Sequence, residues 1–159
     1  MSGNGSLFYN NGNWYEGEWK DFSRHGKGKC IYKDGNIYSG EWKDNLRDGN
    51  GTMNYTERVY NGQWKFDKKD GNGKMVYLDG RYYNGEWRYD TRYGFGVFTF
   101  ADGRTYEGNW INDKRCGNGK ITLPNYDSYE GNWENNARNG FGVMKFESGD
   151  VYDGEWVED

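Results

Sequence analysis

The chain has 159 residues, among them 26 glycines, one proline, 15 Tyr, 8 Trp and 8 Phe, and a formal charge of −4. Leu, Ile, Val and Phe make up only about 14% of it, a share at which highly charged chains stay disordered, but the nearly cancelling charges and abundant aromatics supply the apolar surface that disordered chains lack. Collagen, a disulfide framework and a helical membrane span are excluded by the absence of a three-residue glycine period, by a cysteine inventory of Cys30 and Cys116 alone, and by the absence of any stretch near 18 apolar residues.

The first predicted element is a β-hairpin near 3-20. Gly3 and Gly5 open it, Leu7 and Tyr9 alternate on one face, Asn11-Gly12 turns the chain, and Tyr15-Glu16-Gly17-Glu18-Trp19 returns. The same order is read near 26-43, 49-65, 71-88, 94-111, 117-134 and 140-157. Tyr-x-Gly-x-Trp begins at Tyr15, Tyr38, Tyr60, Tyr83, Tyr106, Tyr129 and Tyr152, in steps of 22 or 23 residues, and Gly-x-Gly keeps the same phase. All 26 glycines occupy a repeat position, which identifies a repeat architecture filling 1-159 as one domain.

Period-two alternation is the strand signal in each unit. Leu7, Cys30, Met53, Met75, Phe98, Ile121 and Met144 fall on one face, and the positions between them, such as Lys29, Lys74 and Lys120, are read as polar. Asn11-Gly12, Asp34-Gly35, Asp79-Gly80 and Asp102-Gly103 are predicted to form type I′ turns. The third repeat is one residue short at Thr56-Glu57, and the sixth substitutes Leu123-Pro124-Asn125-Tyr126 for the turn.

Tyr-x-Gly-x-Trp, a short polar loop with a basic residue, then Gly-x-Gly, as in Tyr38-Ser39-Gly40-Glu41-Trp42 through Arg47-Asp48-Gly49-Asn50-Gly51, resembles the MORN (membrane occupation and recognition nexus) repeat. Seven copies run from Gly3 to Trp156. The resemblance implies an elongated, single-layer antiparallel sheet of about 14 strands, all-β and solenoid-like, made by stacking hairpins. It also implies interaction rather than catalysis, in scaffolds of cytoskeletal, ciliary or membrane-associated assemblies, or in arrays beside an enzyme. Fourteen strands at about 4.8 Å predict a sheet roughly 60 Å across, strongly twisted.

Candidate chemistry is sparse. Gly12 and Gly17, like the equivalent pairs, have phosphate-loop spacing but lack the Lys-Ser/Thr that carries the phosphate. His25 is the only histidine, and no metal or cofactor is expected. The carboxylates Glu18, Glu41, Glu86 and Glu155 are read as cross-strand partners of lysines. One column, Arg24, Arg47, Lys69, Arg92, Arg115 and Arg138, places a basic residue in every inter-repeat loop and is read as a basic edge.

The expected partner site is a groove lined by Trp42, Trp64, Trp87, Trp110, Tyr60, Tyr83, Tyr106, Tyr55, Tyr77 and Phe100, because one layer of sheet cannot hide so much aromatic surface. A protein or peptide segment, with an amphipathic helix among its forms, is the expected occupant. Adhesion to anionic lipid through the basic edge, and end-to-end pairing of two copies through the unpaired end strands, stay open as alternatives. Nucleic acid is not expected. The chain is expected to be soluble and cytoplasmic, associated with cytoskeleton or membrane.

Overall fold

The structure, a computed structural model, describes residues 2–159. The alternation does form strands: fourteen antiparallel strands and, among the described residues, no helix, in a sheet whose strand order follows the sequence. The single-layer, all-β architecture expected from the repeat is the one observed.

The chain divides into two units at Leu78 and Asp79. The first holds β1 (Gly3–Phe8), β2 (Trp14–Lys20), β3 (Ser23–Ile31), β4 (Ile37–Lys43), β5 (Leu46–Asn54), β6 (Arg58–Lys65) and β7 (Lys68–Tyr77). The second holds β8 (Tyr82–Arg88), β9 (Thr91–Thr99), β10 (Thr105–Ile111), β11 (Lys114–Thr122), β12 (Ser128–Glu134), β13 (Ala137–Lys145) and β14 (Val151–Trp156).

The turns differ from expectation in kind. At the predicted Asn11-Gly12 turn, glycine alone has a positive φ, +88°. Gly12 N–H donates to the Tyr9 carbonyl and Tyr9 N–H to the Asn13 carbonyl, the pattern of a type I turn followed by a left-handed residue. The sixth repeat keeps this turn: Tyr126 N–H donates to the Leu123 carbonyl, Pro124 stands where a type I turn favours proline, and Tyr126 takes the glycine's place at φ 66°. The shortened third repeat changes it, closing from Tyr55 to Arg58 around Thr56-Glu57.

Turns with two positive-φ residues lie instead between repeats, without glycine: Asp21-Phe22, Asp44-Asn45, Phe66-Asp67, Tyr89-Asp90, Asn112-Asp113 and Asn135-Asn136. Asn and Asp tolerate the left-handed region better than other side chains. These two-residue links let the following strand start early, so β3 begins at Ser23 and β5 at Leu46. The basic column therefore lies inside strands, not in loops.

Each inter-repeat strand pair carries a bulge. Gly17 pairs with Gly28 and Trp19 with Arg24, so Glu18 alone faces His25, Gly26 and Lys27. The Glu18 carboxylate accepts the Lys27 N–H at 2.9 Å, Glu41 accepts that of Asn50, and Glu86 that of Phe95 at 3.0 Å. These three glutamates satisfy backbone donors in bulges, and Glu41 also stands opposite Lys27, as the sequence predicts. Further cross-strand pairs are Glu16 with Lys29, and Glu107 and Glu130 with Lys120.

The core is a ladder on one face, here the aromatic face. Tyr15 lies edge-on to Trp19 and to Trp42 of the next repeat, with centroids 5.1 and 5.4 Å apart. Its hydroxyl donates to the Glu18 carbonyl at 2.9 Å, and its ring crosses the backbone at Gly17 and Gly28, where a β-carbon would overlap it. Trp42 Nε1 donates to the Gly28 carbonyl at 3.1 Å. Both units repeat this arrangement, as Tyr38 with Trp42 and Trp64 and Tyr106 with Trp110 and Trp133 show. Edge-on aromatic pairs contribute about 0.5–1.5 kcal/mol each beyond their buried area.

Candidate functional site

On the aromatic face the tryptophan and tyrosine ladder is closed to partners. Trp42, Trp64 and Trp110 are 3% exposed, Trp87 is 5%, and Tyr60, Tyr83 and Tyr106 are wholly buried. These seven residues, expected to line the groove, form its floor beneath other side chains. The single layer hides them by a means the composition did not reveal, a cover of arginine.

Arg24 places its guanidinium 4.2 Å from the Trp42 ring centroid, Arg47 lies 4.4 Å from Trp64, Arg92 4.3 Å from Trp110, and Arg115 4.4 Å from Trp133. Arg138 covers Trp156 in the same way, and Lys69, buried, sits over Tyr60. Each arginine also reaches the following inter-repeat turn. Arg47 Nε donates to Asp67 Oδ1 at 2.9 Å, its Nη2 to the Asp67 carbonyl at 2.8 Å, and its N–H to Asp67 Oδ1, while the Asp67 N–H returns to the Arg47 carbonyl. Arg92 repeats this set with Asp113, and Arg24 and Arg115 make the backbone bonds with Asn45 and Asn136. The basic edge expected from the sequence is thus a set of half-buried struts. Rings and turns hold their guanidinium groups, with Arg24 Nε left without a hydrogen-bond partner, and burial lowers the pKa of Arg115.

What stays accessible on this face is the next row, one step toward the turns within repeats. Tyr32, Tyr55 and Tyr77 are half-buried in the first unit, as are Phe100 and Leu123 in the second, where Phe146 is exposed. Burial pushes the Tyr32 phenol up to about 12. Arg58 lies 4.9 Å from the Tyr55 ring and Arg104 4.8 Å from Phe100, so each ring keeps a charged neighbour at its rim.

In the second unit two shallow cavities open between this row and the arginines. One, of about 320 Å³, lies among Phe98, Phe100, Arg92 and Arg115. The other, of about 210 Å³, lies among Ile121, Leu123, Arg115, Arg138 and Met144. Arg115 walls both, so they are successive bays along one row. Tyr55, Tyr77 and Phe100 are the expected groove residues with surface left to offer.

No grouping among the described residues could hold a metal ion. His25 Nδ1 lies 3.6 Å from Asp44. Cys30 and Cys116 are both free, and burial pushes each thiol up, away from the reactive thiolate form.

The MORN repeat model matches residues 15–37, 38–57, 60–80, 83–103, 106–128 and 129–151. No curated protein sequence matches the chain. Among solved structures, the chain is similar to the SAS-4 (dCPAP) TCP domain of Drosophila melanogaster in complex with a proline-rich motif of Ana2 (dSTIL), with a TM-score of 0.60 and 14% identity over 97% of this chain and 85% of that one. It is also similar to the TCP10c domain of Drosophila melanogaster Sas-4, with a TM-score of 0.53 and 14% identity over 97% of this chain and 93% of that one. At this identity the likeness is one of fold, an open antiparallel sheet.

Proposed function

The chain belongs to the MORN-repeat family, and from that premise we propose that it is a non-enzymatic protein-interaction scaffold whose aromatic face takes an extended peptide segment. The observation that carries this reading is made on each unit taken by itself: half-buried rings, Tyr55 and Tyr77 in the first and Phe100 in the second, stand beside arginines held by rings and turns. Flat rings with one open surface and a polar rim suit proline-rich or other extended chains, which lose little conformational freedom on binding. A protein of the same fold that was solved with a proline-rich motif supports the choice of occupant. The scaffold acts in a cytoskeletal or membrane-associated assembly.

Fluorescence titration against an array of proline-rich peptides tests the reading. A binder should lose at least about tenfold in affinity on the ring variants of the unit it occupies, Tyr55→Ser and Tyr77→Ser in the first or Phe100→Ser in the second, because ring contacts dominate such sites, while the urea midpoint moves little. Affinity unchanged in all three variants would overturn it.

A further inference from the structure

The reverse face of the second unit breaks its own polar pattern twice. The middle residue of Gly-x-Gly is Asn at Asn4, Asn50, Asn72 and Asn118 and Lys at Lys27, but Phe at Phe95 and Phe141. The reverse-face residue two places on is Val97 or Val143 in these two repeats, against Ser6, Lys29, Thr52, Lys74 and Lys120 elsewhere. Phe95 is 50% exposed and Phe141 68%. Neither ring belongs to the ladder: Phe95 pairs with Asn109 and Phe141 with Glu155, both reverse-face positions.

Phe95 on β9 and Phe141 on β13 are four strand spacings apart, about 19 Å. Directly between them on the same row stand Asn109, Asn118 and Asn132, and carboxylates stand on the next row, two residues along each strand. Val97 pairs with Glu107, Lys120 pairs with Glu107 and Glu130, and Val143 pairs with Glu130 and Asp153. A cavity of about 620 Å³ lies among Phe95, Glu107, Asn118, Lys120 and Glu130, over a floor of glycine backbone. The charge of the whole unit agrees with this local excess: Asp79 to Asp159 carries nine Lys and Arg against fifteen Asp and Glu, while residues 1–78 carry twelve against ten.

We propose that this face is a second docking surface, for a basic, extended peptide segment of a partner protein that crosses the strands and seats one apolar side chain beside Phe95 and another beside Phe141. At about 3.3 Å per residue, 19 Å separates residues i and i+6 of such a segment, which point the same way. Residues i+2 and i+4 face the sheet over the row of Asn109, Asn118 and Asn132, from which a Lys or Arg side chain reaches Glu107 and Glu130 on the adjoining row, where they flank Lys120. The recognition pattern is therefore apolar, then Lys or Arg at alternate positions, then apolar. Charge chooses this occupant over others: an anionic lipid surface, or the same acidic face of a second copy, would meet Glu107 and Glu130 with like charge.

A peptide phage library selected on the full chain, with counter-selection on Phe95→Asn/Phe141→Asn, tests this. Asn is native to that position in four other repeats, so the variant suits the fold. Selected peptides should show the pattern, lose at least about tenfold in affinity on the double variant, and weaken between about 0.05 and about 0.5 M salt. A second variant, Glu107→Gln/Glu130→Gln, keeps both rings and should also cost the basic peptides affinity, while binding at Tyr55 and Phe100 is untouched. Recovery of no peptide that depends on Phe95 and Phe141 overturns the proposal. So does a shift from dimer to monomer in sedimentation when both rings are replaced, since the occupant is then a second copy.

Discussion

Arg47 on β5 and Trp64 on β6 lie on the two strands of one hairpin, and the guanidinium of the first is the lid of the second, 4.4 Å from its ring centroid. A charge over an indole face contributes about 0.5–2 kcal/mol, and Arg47 is fixed there by its two-point bond to Asp67. Arg47→Ala should therefore cost about 2 kcal/mol of stability by urea denaturation. Arg47→Lys should cost about 1 kcal/mol, since lysine keeps the charge but not the fork. Midpoints indistinguishable from the parent chain would remove the strut from the account of stability.

Gly28 is the floor under Tyr15. A β-carbon at this position overlaps the phenol, and the ring has no free direction because it is wedged between Trp19 and Trp42. Gly28→Ala should cost about 3 kcal/mol or more, in the range of severe overpacking. Gly35 is the control, since nothing lies within 4 Å of its added β-carbon but its φ is +85°. Gly35→Ala should cost only about 1–2 kcal/mol, the penalty of the left-handed backbone. Equal losses at both positions would contradict the ring-on-glycine arrangement.

The buried tyrosines make the fold sensitive to alkali. Burial pushes the Tyr15 phenol from 10.0 up to about 12, and it raises Tyr38, Tyr83 and Tyr106 as well. Below pH 10 these phenols are neutral in folded and unfolded chains alike, and their contribution to stability is complete. Between about pH 10 and 12 the unfolded chain ionises first, so stability falls by about 1.4 kcal/mol per pH unit for each such tyrosine. The phenolate absorbance of the buried tyrosines and loss of the circular dichroism of the sheet should rise together in one cooperative step. Ionisation of all 15 tyrosines with the sheet intact would show that these phenols are open to solvent.

Tyr126 holds a left-handed backbone at φ 66° with its side chain exposed. Tyr126→Gly should stabilise the chain by about 0.5–1 kcal/mol, the left-handed penalty less the entropy that glycine adds to the unfolded chain. A lower midpoint would mean that the tyrosine ring makes contacts that outweigh its backbone.

The hairpins were legible because a period of 22 or 23 residues leaves little freedom. Once Tyr, Gly and Trp fall on one face, ring over glycine is the way for a single layer to pack. The bulges were not legible. Gly26 and Gly28 look like ordinary alternation, and only the positive φ of Gly26 reveals that Glu18 faces three residues. That hidden offset moved Arg24 from a loop into a strand, which is why the basic column looked like an edge. Phe95 and Phe141 escaped notice for another reason: averaging a repeat position over seven copies conceals the two copies that differ.

The two ends of each hairpin have unequal licence to vary. At Asn45, Asp67, Asp113 and Asn136 the inter-repeat link must place both a carbonyl and a side-chain oxygen against an arginine, whereas the turns within repeats meet their neighbours through single bonds, such as Lys33 N–H to Asn13 Oδ1 and Glu147 N–H to Asp127 Oδ1. The shortened Thr56-Glu57 turn and the proline at Pro124 both lie at the permissive end. Length changes during descent, or loops grafted by an engineer, can accumulate along that margin while the opposite one keeps its spelling, so new specificity can be written beside the ring row without disturbing the seams between repeats.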